Sequence, residues 1–207
     1  MNRRDAIKNL TLSLGYVVAT PTIMSVLSSC NEDVATWKPL FFSKEEQHLV
    51  INLAAIILPS SNIPGALDVN VPQFIDEMYM NIELEKNQHN FKQGASIFAG
   101  RFKTMFEKKA IKGSEAEIRE LFAKYFNLSK GETQKIVKEQ RLDKQVINKE
   151  RIDDYLMYKF LFSVRYYTLF GYFTSKKVGI EILNYDPVPG VYNGCIPLKD
   201  IENAWSL

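Results

Sequence analysis

Two apolar helical runs are separated by a stretch with three prolines and a glycine, and this arrangement constrains the fold more than any other feature. From Leu53 to Leu58 the chain is uniformly apolar, and Pro59 ends the run because proline lacks an N–H and clashes with the preceding turn. Ile63-Pro64-Gly65 follows. A fixed φ followed by a residue free to take positive φ is turn chemistry. Pro72 suits the first turn of a helix, and Phe74, Ile75, Met78 and Tyr79 continue at helical spacing. The connection keeps Ile63, Leu67, Val69 and Val71, so it is expected to pack down. Asp68 and Asp76 read as structural, with Asp76 placed in a first helical turn where a carboxylate suits the helix dipole.

The rest of the chain is helical in pattern. Ser43-Lys44-Glu45-Glu46 is a capping box, and Ser114…Glu117 and Ser129…Glu132 repeat it. Leu49, Val50, Leu53, Ile56 and Ile57 form the apolar stripe of the first helix. A further helix is expected over 87–112, with Phe91, Phe98, Phe102, Met105 and Phe106 on one face, and Gly94 and Gly100 allowing close approach of a neighbour. Two short helices and a charged connection over 138–150 lead to a long helix at about 151–173. Its Tyr, Phe and Leu residues surround it almost completely, so it is expected to be buried on all sides, by its own domain or by a partner. No alternating strand pattern occurs. The expectation is a single irregular all-α domain over 43–207, with long Pro/Gly-rich loops and an extended C-terminal arm after Gly179.

A second Pro/Gly-rich block closes the chain: Gly171-Tyr172-Phe173-Thr174-Ser175, Gly179, Tyr185-Asp186-Pro187-Val188-Pro189-Gly190 and Tyr192-Asn193-Gly194-Cys195-Ile196-Pro197. In that order the two blocks resemble the gluconate 2-dehydrogenase subunit 3 family, small subunits of membrane-associated flavin dehydrogenases, from about Ser43 to Leu198. The resemblance implies a non-catalytic subunit with no cofactor of its own. It would bind, co-export and anchor an FAD-dependent large subunit that oxidises sugars, sugar acids or related alcohols, often with a cytochrome c subunit as electron acceptor. The residues expected to bind the partner are Ile63, Pro64, Gly65 and Leu67 in the first block. In the second they are Tyr185, Pro187, Val188, Pro189, Tyr192, Cys195 and Ile196. Ordered loops bearing apolar and aromatic side chains suit an interface. The same loops could instead cover the domain's own aromatic helix.

The N-terminus is separate in kind. Arg3 and Arg4 precede an uncharged, moderately apolar stretch from Asn9 to Cys30, and Leu27-Ser28-Ser29-Cys30 ends in small residues before a cysteine. The pattern resembles a twin-arginine export signal over 1–29 joined to a lipoprotein cleavage site, with Cys30 lipidated and 30–42 a tether whose Trp37, Phe41 and Phe42 dock on the domain. A membrane span or an N-terminal core helix is the alternative, although Ser, Thr, Gly and Pro21 dilute the run. The expected location is the periplasmic side of a membrane.

Composition narrows the function classes. The chain has a net charge of +2, and residues 30–207 hold 23 basic and 23 acidic residues. No basic excess points to nucleic acid. His48 and His89 lie on separate segments and read as structural. No Cys-x-x-Cys-His, Gly-x-Gly-x-x-Gly, Gly-Lys-Ser/Thr or Gly-x-Ser-x-Gly sequence occurs. No catalytic, cofactor or metal residue is assigned, and Asp186 before Pro187 fits a turn. Cys195 is expected to be a buried thiol or to join an intermolecular disulfide. A stand-alone lipoprotein scaffold and a small periplasmic enzyme without a recognisable cofactor motif are the alternative functions.

Overall fold

The structure, a computed structural model, describes residues 37–184 together with 190, 195, 197, 203 and 204. Two units are distinguished, Met1–Lys38 and Pro39–Leu207, and the second is the one described below. Among the described residues it contains α-helices and short 3-10 turns and no strand, in agreement with the all-α expectation. No helix of the described residues is long and apolar enough to cross a membrane.

The three Ser-x-x-Glu sequences each begin a helix. α1 (Lys44–Ile57), α4 (Glu115–Phe126) and α5 (Lys130–Glu139) start at Ser43, Ser114 and Ser129, and in each the serine oxygen and the glutamate complete reciprocal bonds. Between α1 and α4 lie α2 (Val71–Asn81) and α3 (Glu85–Phe106). After two 3-10 turns comes α6 (Ile152–Phe173), and then the short α7 (Lys176–Glu181). Two boundaries differ from expectation. The third helix begins at Glu85 and stops at Phe106, where Glu107 takes a left-handed φ of 55°, with a separate 3-10 turn at Ala110–Lys112. The arm starts later than Gly179, because Ser175 caps α7 and carries the helix to Glu181.

The core is built on the pairing of α3 with α6. Phe91, Phe98 and Phe102 of α3 and Leu156, Phe160, Leu161 and Val164 of α6 are buried. Gly94 is where the helices touch: a Cβ there would lie 2.2 Å from the Leu156 carbonyl oxygen. Gly100 meets nothing within 4 Å, so it allows no such approach. α1 contributes Leu49, Val50, Leu53 and Ala54, while Ile75 and Tyr79 enter from α2 and Ile118 and Leu121 from α4. Ile56 and Ile57 are half-buried, and Met105 is exposed.

Pro39–Phe42, in the segment expected to be a tether, is fastened to this core. The Phe42 ring stacks on Phe91 at 5.4 Å and Phe41 stacks on Tyr79 at 5.3 Å. The backbone is held by Asp76, whose fully buried carboxylate accepts from the N–H groups of Leu40, Phe41 and Phe42 at 2.6, 3.0 and 2.8 Å. Since α2 begins at Val71, Asp76 lies beyond the first turn, and its role is this clasp rather than a dipole interaction.

Candidate functional site

The loop between α1 and α2 is folded around one carboxylate. Asp68 Oδ2 accepts from Ser60 Oγ at 2.5 Å and from the Gly65 N–H at 2.6 Å. These two bonds, the serine first, hold the carboxyl below its ordinary range, and Lys177 adds a smaller attraction. Across the loop, the Ala66 N–H donates to the Leu58 carbonyl at 2.9 Å. This brings Gly65 so close that a Cβ would lie 2.5 Å from Ser60 N and 2.8 Å from Leu58 O. Gly65 is therefore required for close approach, not for the positive φ expected of it. Positive φ occurs at Asn70 instead (54°), between the 3-10 turn Leu67–Val69 and α2.

The far side of the loop is tied to α6. The Tyr172 hydroxyl donates to the Pro64 carbonyl at 2.8 Å. Gly65 and Ala66 are buried, and Pro64 and Leu67 are half-buried, so of the four residues expected to meet a partner only Ile63 (46% exposed) projects. Pro59, Ser60, Ser61, Asn62, Asp68 and Asn70 of the same loop are exposed as well.

Beside it, α6 departs from the expectation of burial on all sides. Tyr166, Phe170 and Phe173 are 60%, 42% and 51% exposed. Their spacing of four and three residues puts them on one face. The Tyr166 and Phe170 rings stack at 6.0 Å with an interplanar angle of 9°. Phe74 of α2 lies 5.9 Å from Phe170 and fits over Gly171, where a Cβ would be 2.5 Å from its ring. Phe173 packs edge-on at 5.3 Å against Tyr172, the residue that holds Pro64. Ile180 on α7 is also exposed. The charged residues of α6 are accommodated as polar groups must be. Asp154 pairs with Arg101 at 2.5 Å, Lys159 Nζ donates to the Gln140 carbonyl at 2.7 Å, and Arg165 is exposed.

The stripe was missed in the sequence because all its members are aromatic, and the helix looked uniformly apolar. A signal was there: Leu156, Phe160, Val164 and Gly171 trace one face, and Arg165, Tyr166 and Phe173 fall off it. This stripe offers ring surface, with the Tyr166 hydroxyl as the polar group among its three rings. Its chemistry is the burial of ring surface against another surface.

The remaining candidates divide clearly. His48 Nε2 lies 2.9 Å from the Gly113 carbonyl, and His89 is exposed on a separate helix. Among the described residues no group of three His, Cys, Asp or Glu side chains could hold a metal ion. Cys195 is exposed, contrary to the buried-thiol reading. Gly190 and Pro197 of the second block are exposed too. Tyr185, Asp186, Pro187, Val188, Pro189, Tyr192 and Ile196 lie outside the described residues, as do Arg3, Arg4 and Cys30 of the leader.

No curated protein and no solved structure matches the chain. A family model does: that of gluconate 2-dehydrogenase subunit 3 matches residues 44–190, from the start of α1 through the Asp68 loop and the aromatic stripe. The match stops before Tyr192–Pro197. It spans well over half of the sequence, and the chain belongs to the gluconate 2-dehydrogenase subunit 3 family.

Proposed function

We propose that this chain is the non-catalytic small subunit of a dehydrogenase complex, docking an FAD-dependent large subunit through the face formed by Ile63, Tyr166, Phe170 and Phe173. One observation carries the reading: a helix packed into the core on one face turns three aromatic rings outward on another. Ordered aromatic side chains on a helix lose little entropy on docking and are the residue types that dominate interface energies. Family membership supplies the class of complex, and the flavin, its oxidisable sugar or alcohol substrate and a cytochrome c acceptor belong to the partners in this proposal. The chain's own part is to fold, present the face and carry the assembly.

The carrying function rests on the leader. In this proposal Arg3 and Arg4 route the folded complex out of the cytoplasm, and lipid on Cys30 anchors it on the periplasmic side. The acyl chains would add to membrane affinity through each buried methylene. The test is co-expression with a flavin-containing large subunit, followed by fractionation. The expected result is that flavin absorbance appears in the membrane fraction only with the intact chain. Arg3→Lys with Arg4→Lys should retain it in the cytoplasm, and Cys30→Ala should release it from the membrane. Membrane-bound flavoprotein in the absence of this chain would contradict the proposal.

A further inference from the structure

A cleft of about 370 Å³ lies where the end of α4, α5 and the start of α6 meet. That volume is within the range of small-molecule sites. Its two carboxylates are already held. Glu132 Oε2 accepts from the Ser129 hydroxyl at 2.6 Å and from the Ser129 N–H at 3.1 Å, and these bonds, the hydroxyl first, keep its carboxyl below the ordinary range. Asp154 is bonded to Arg101 at 2.5 Å. The cations of the lining are Lys124, Lys135 and Arg151. Lys124 and Lys135 are exposed and form no ion pair among the described residues. Three cations therefore stand against two carboxylates, an excess of one positive charge.

Arg151 supplies the more specific signal. Its Nη2 donates to Glu139 at 2.9 Å, which fixes the guanidinium at the cleft, while its Nε–H is buried with no acceptor among the described residues. A buried donor left unpaired opposes folding, and an anion brought against the guanidinium removes that deficit. The other end of the cleft is apolar. A smaller cavity of about 30 Å³ shares Tyr125, Ile136 and Tyr158 with it and adds Phe126 and Phe162, whose rings meet edge-on at 5.8 Å. The Tyr158 hydroxyl donates to the Tyr125 carbonyl at 3.1 Å, and the Tyr125 hydroxyl accepts from Arg101 at 3.1 Å, so what both tyrosines offer the cleft is chiefly ring surface. One excess positive charge matches a monoanion such as a carboxylate better than a phosphate dianion, and the aromatic end suits an apolar body attached to it.

We infer that this cleft binds a small organic monocarboxylate with an apolar body, its carboxylate held by Lys124, Lys135 and Arg151 and its body lying against Tyr125, Tyr158 and Phe162. These residues belong to the N-terminal half of α6 and its neighbours, whereas the stripe occupies the C-terminal half, so the inference does not rest on docking of a large subunit.

The test uses the full-length chain alone, isotopically labelled in detergent, with 3-phenylpropionate as the probe. The expected outcome is a saturable shift of the Arg151 Nε–H resonance. Changing both lysines, Lys124→Gln with Lys135→Gln, should weaken binding at least tenfold and leave the melting temperature unchanged, since neither lysine is paired in the fold. Acetate, which lacks the apolar body, and 3-phenylpropan-1-ol, which lacks the charge, should each bind at least tenfold more weakly than the probe. These two comparisons use the unaltered chain and do not depend on the folding of a variant. The inference is overturned by absence of saturable binding, by equal binding to the double variant, or by equal binding of acetate or 3-phenylpropan-1-ol. Tighter binding of phenyl phosphate would also overturn it, since the site would then be one for a dianion.

Discussion

Replacing Asp76 by asparagine changes one atom type, yet three backbone donors depend on that carboxylate. An amide offers a single acceptor oxygen and turns an N–H₂ toward at least one of those N–H groups, which then loses its acceptor. Hydrogen bonds to a charged acceptor are individually worth about 1.5–3 kcal/mol, so Asp76→Asn is expected to cost about 3 kcal/mol in urea unfolding. Glu117 illustrates a pH-dependent contribution. Its bond from Lys108, followed by those from Ser114, lowers its carboxyl from 4.5 to about 2. A carboxylate with a depressed folded value adds stability in full above its unfolded value and loses it as the pH falls through the folded one. The stability gap between the protein and Glu117→Gln should therefore be constant above pH 5 and close between 4.5 and about 2. A gap independent of pH over that window would show that the carboxylate is not the source.

At the scale of elements, the two glycines of α3 make opposite predictions. Gly94→Ala places a methyl against the Leu156 backbone, which cannot rotate away, and the overpacking should cost about 1–3 kcal/mol. Gly100→Ala meets nothing and should stabilise the helix by about 1 kcal/mol. Thermal unfolding of both variants checks the α3–α6 contact directly. The sequence does not distinguish these two positions, since both are glycines in a helical pattern. What it does convey well is local: the Ser43, Ser114 and Ser129 capping boxes depend only on residues three apart, and all three form. Pro59 likewise marks the end of α1, because its effect needs no tertiary partner. Features set by distant residues were not legible. Asp76 finds its donors more than thirty positions upstream, and Gly65 is needed because Leu58 and Ser60 fold back over it.

For the whole molecule, the central question is which surfaces belong to the chain and which to a partner. The sequence placed the partner surface on two Pro/Gly-rich loops. In the first, Pro64, Gly65 and Leu67 are buried or half-buried beside the Asp68 bonds and the Tyr172–Pro64 tie, while Ile63 is exposed. The outward aromatic face belongs to α6, where uniform hydrophobicity hid it. Tyr172→Phe should therefore act on the fold and not on docking: loss of the bond to Pro64 is expected to lower stability by about 1 kcal/mol and leave the stripe in place. The most direct test of the account is the affinity of the flavin-containing large subunit for Phe170→Ala, measured by titration calorimetry alongside the melting temperature of the variant. A half-exposed ring at the centre of a docking face predicts a loss of about 1–3 kcal/mol in affinity with the melting temperature close to that of the parent. An unchanged affinity with a lowered melting temperature would contradict the account and return Phe170 to the core.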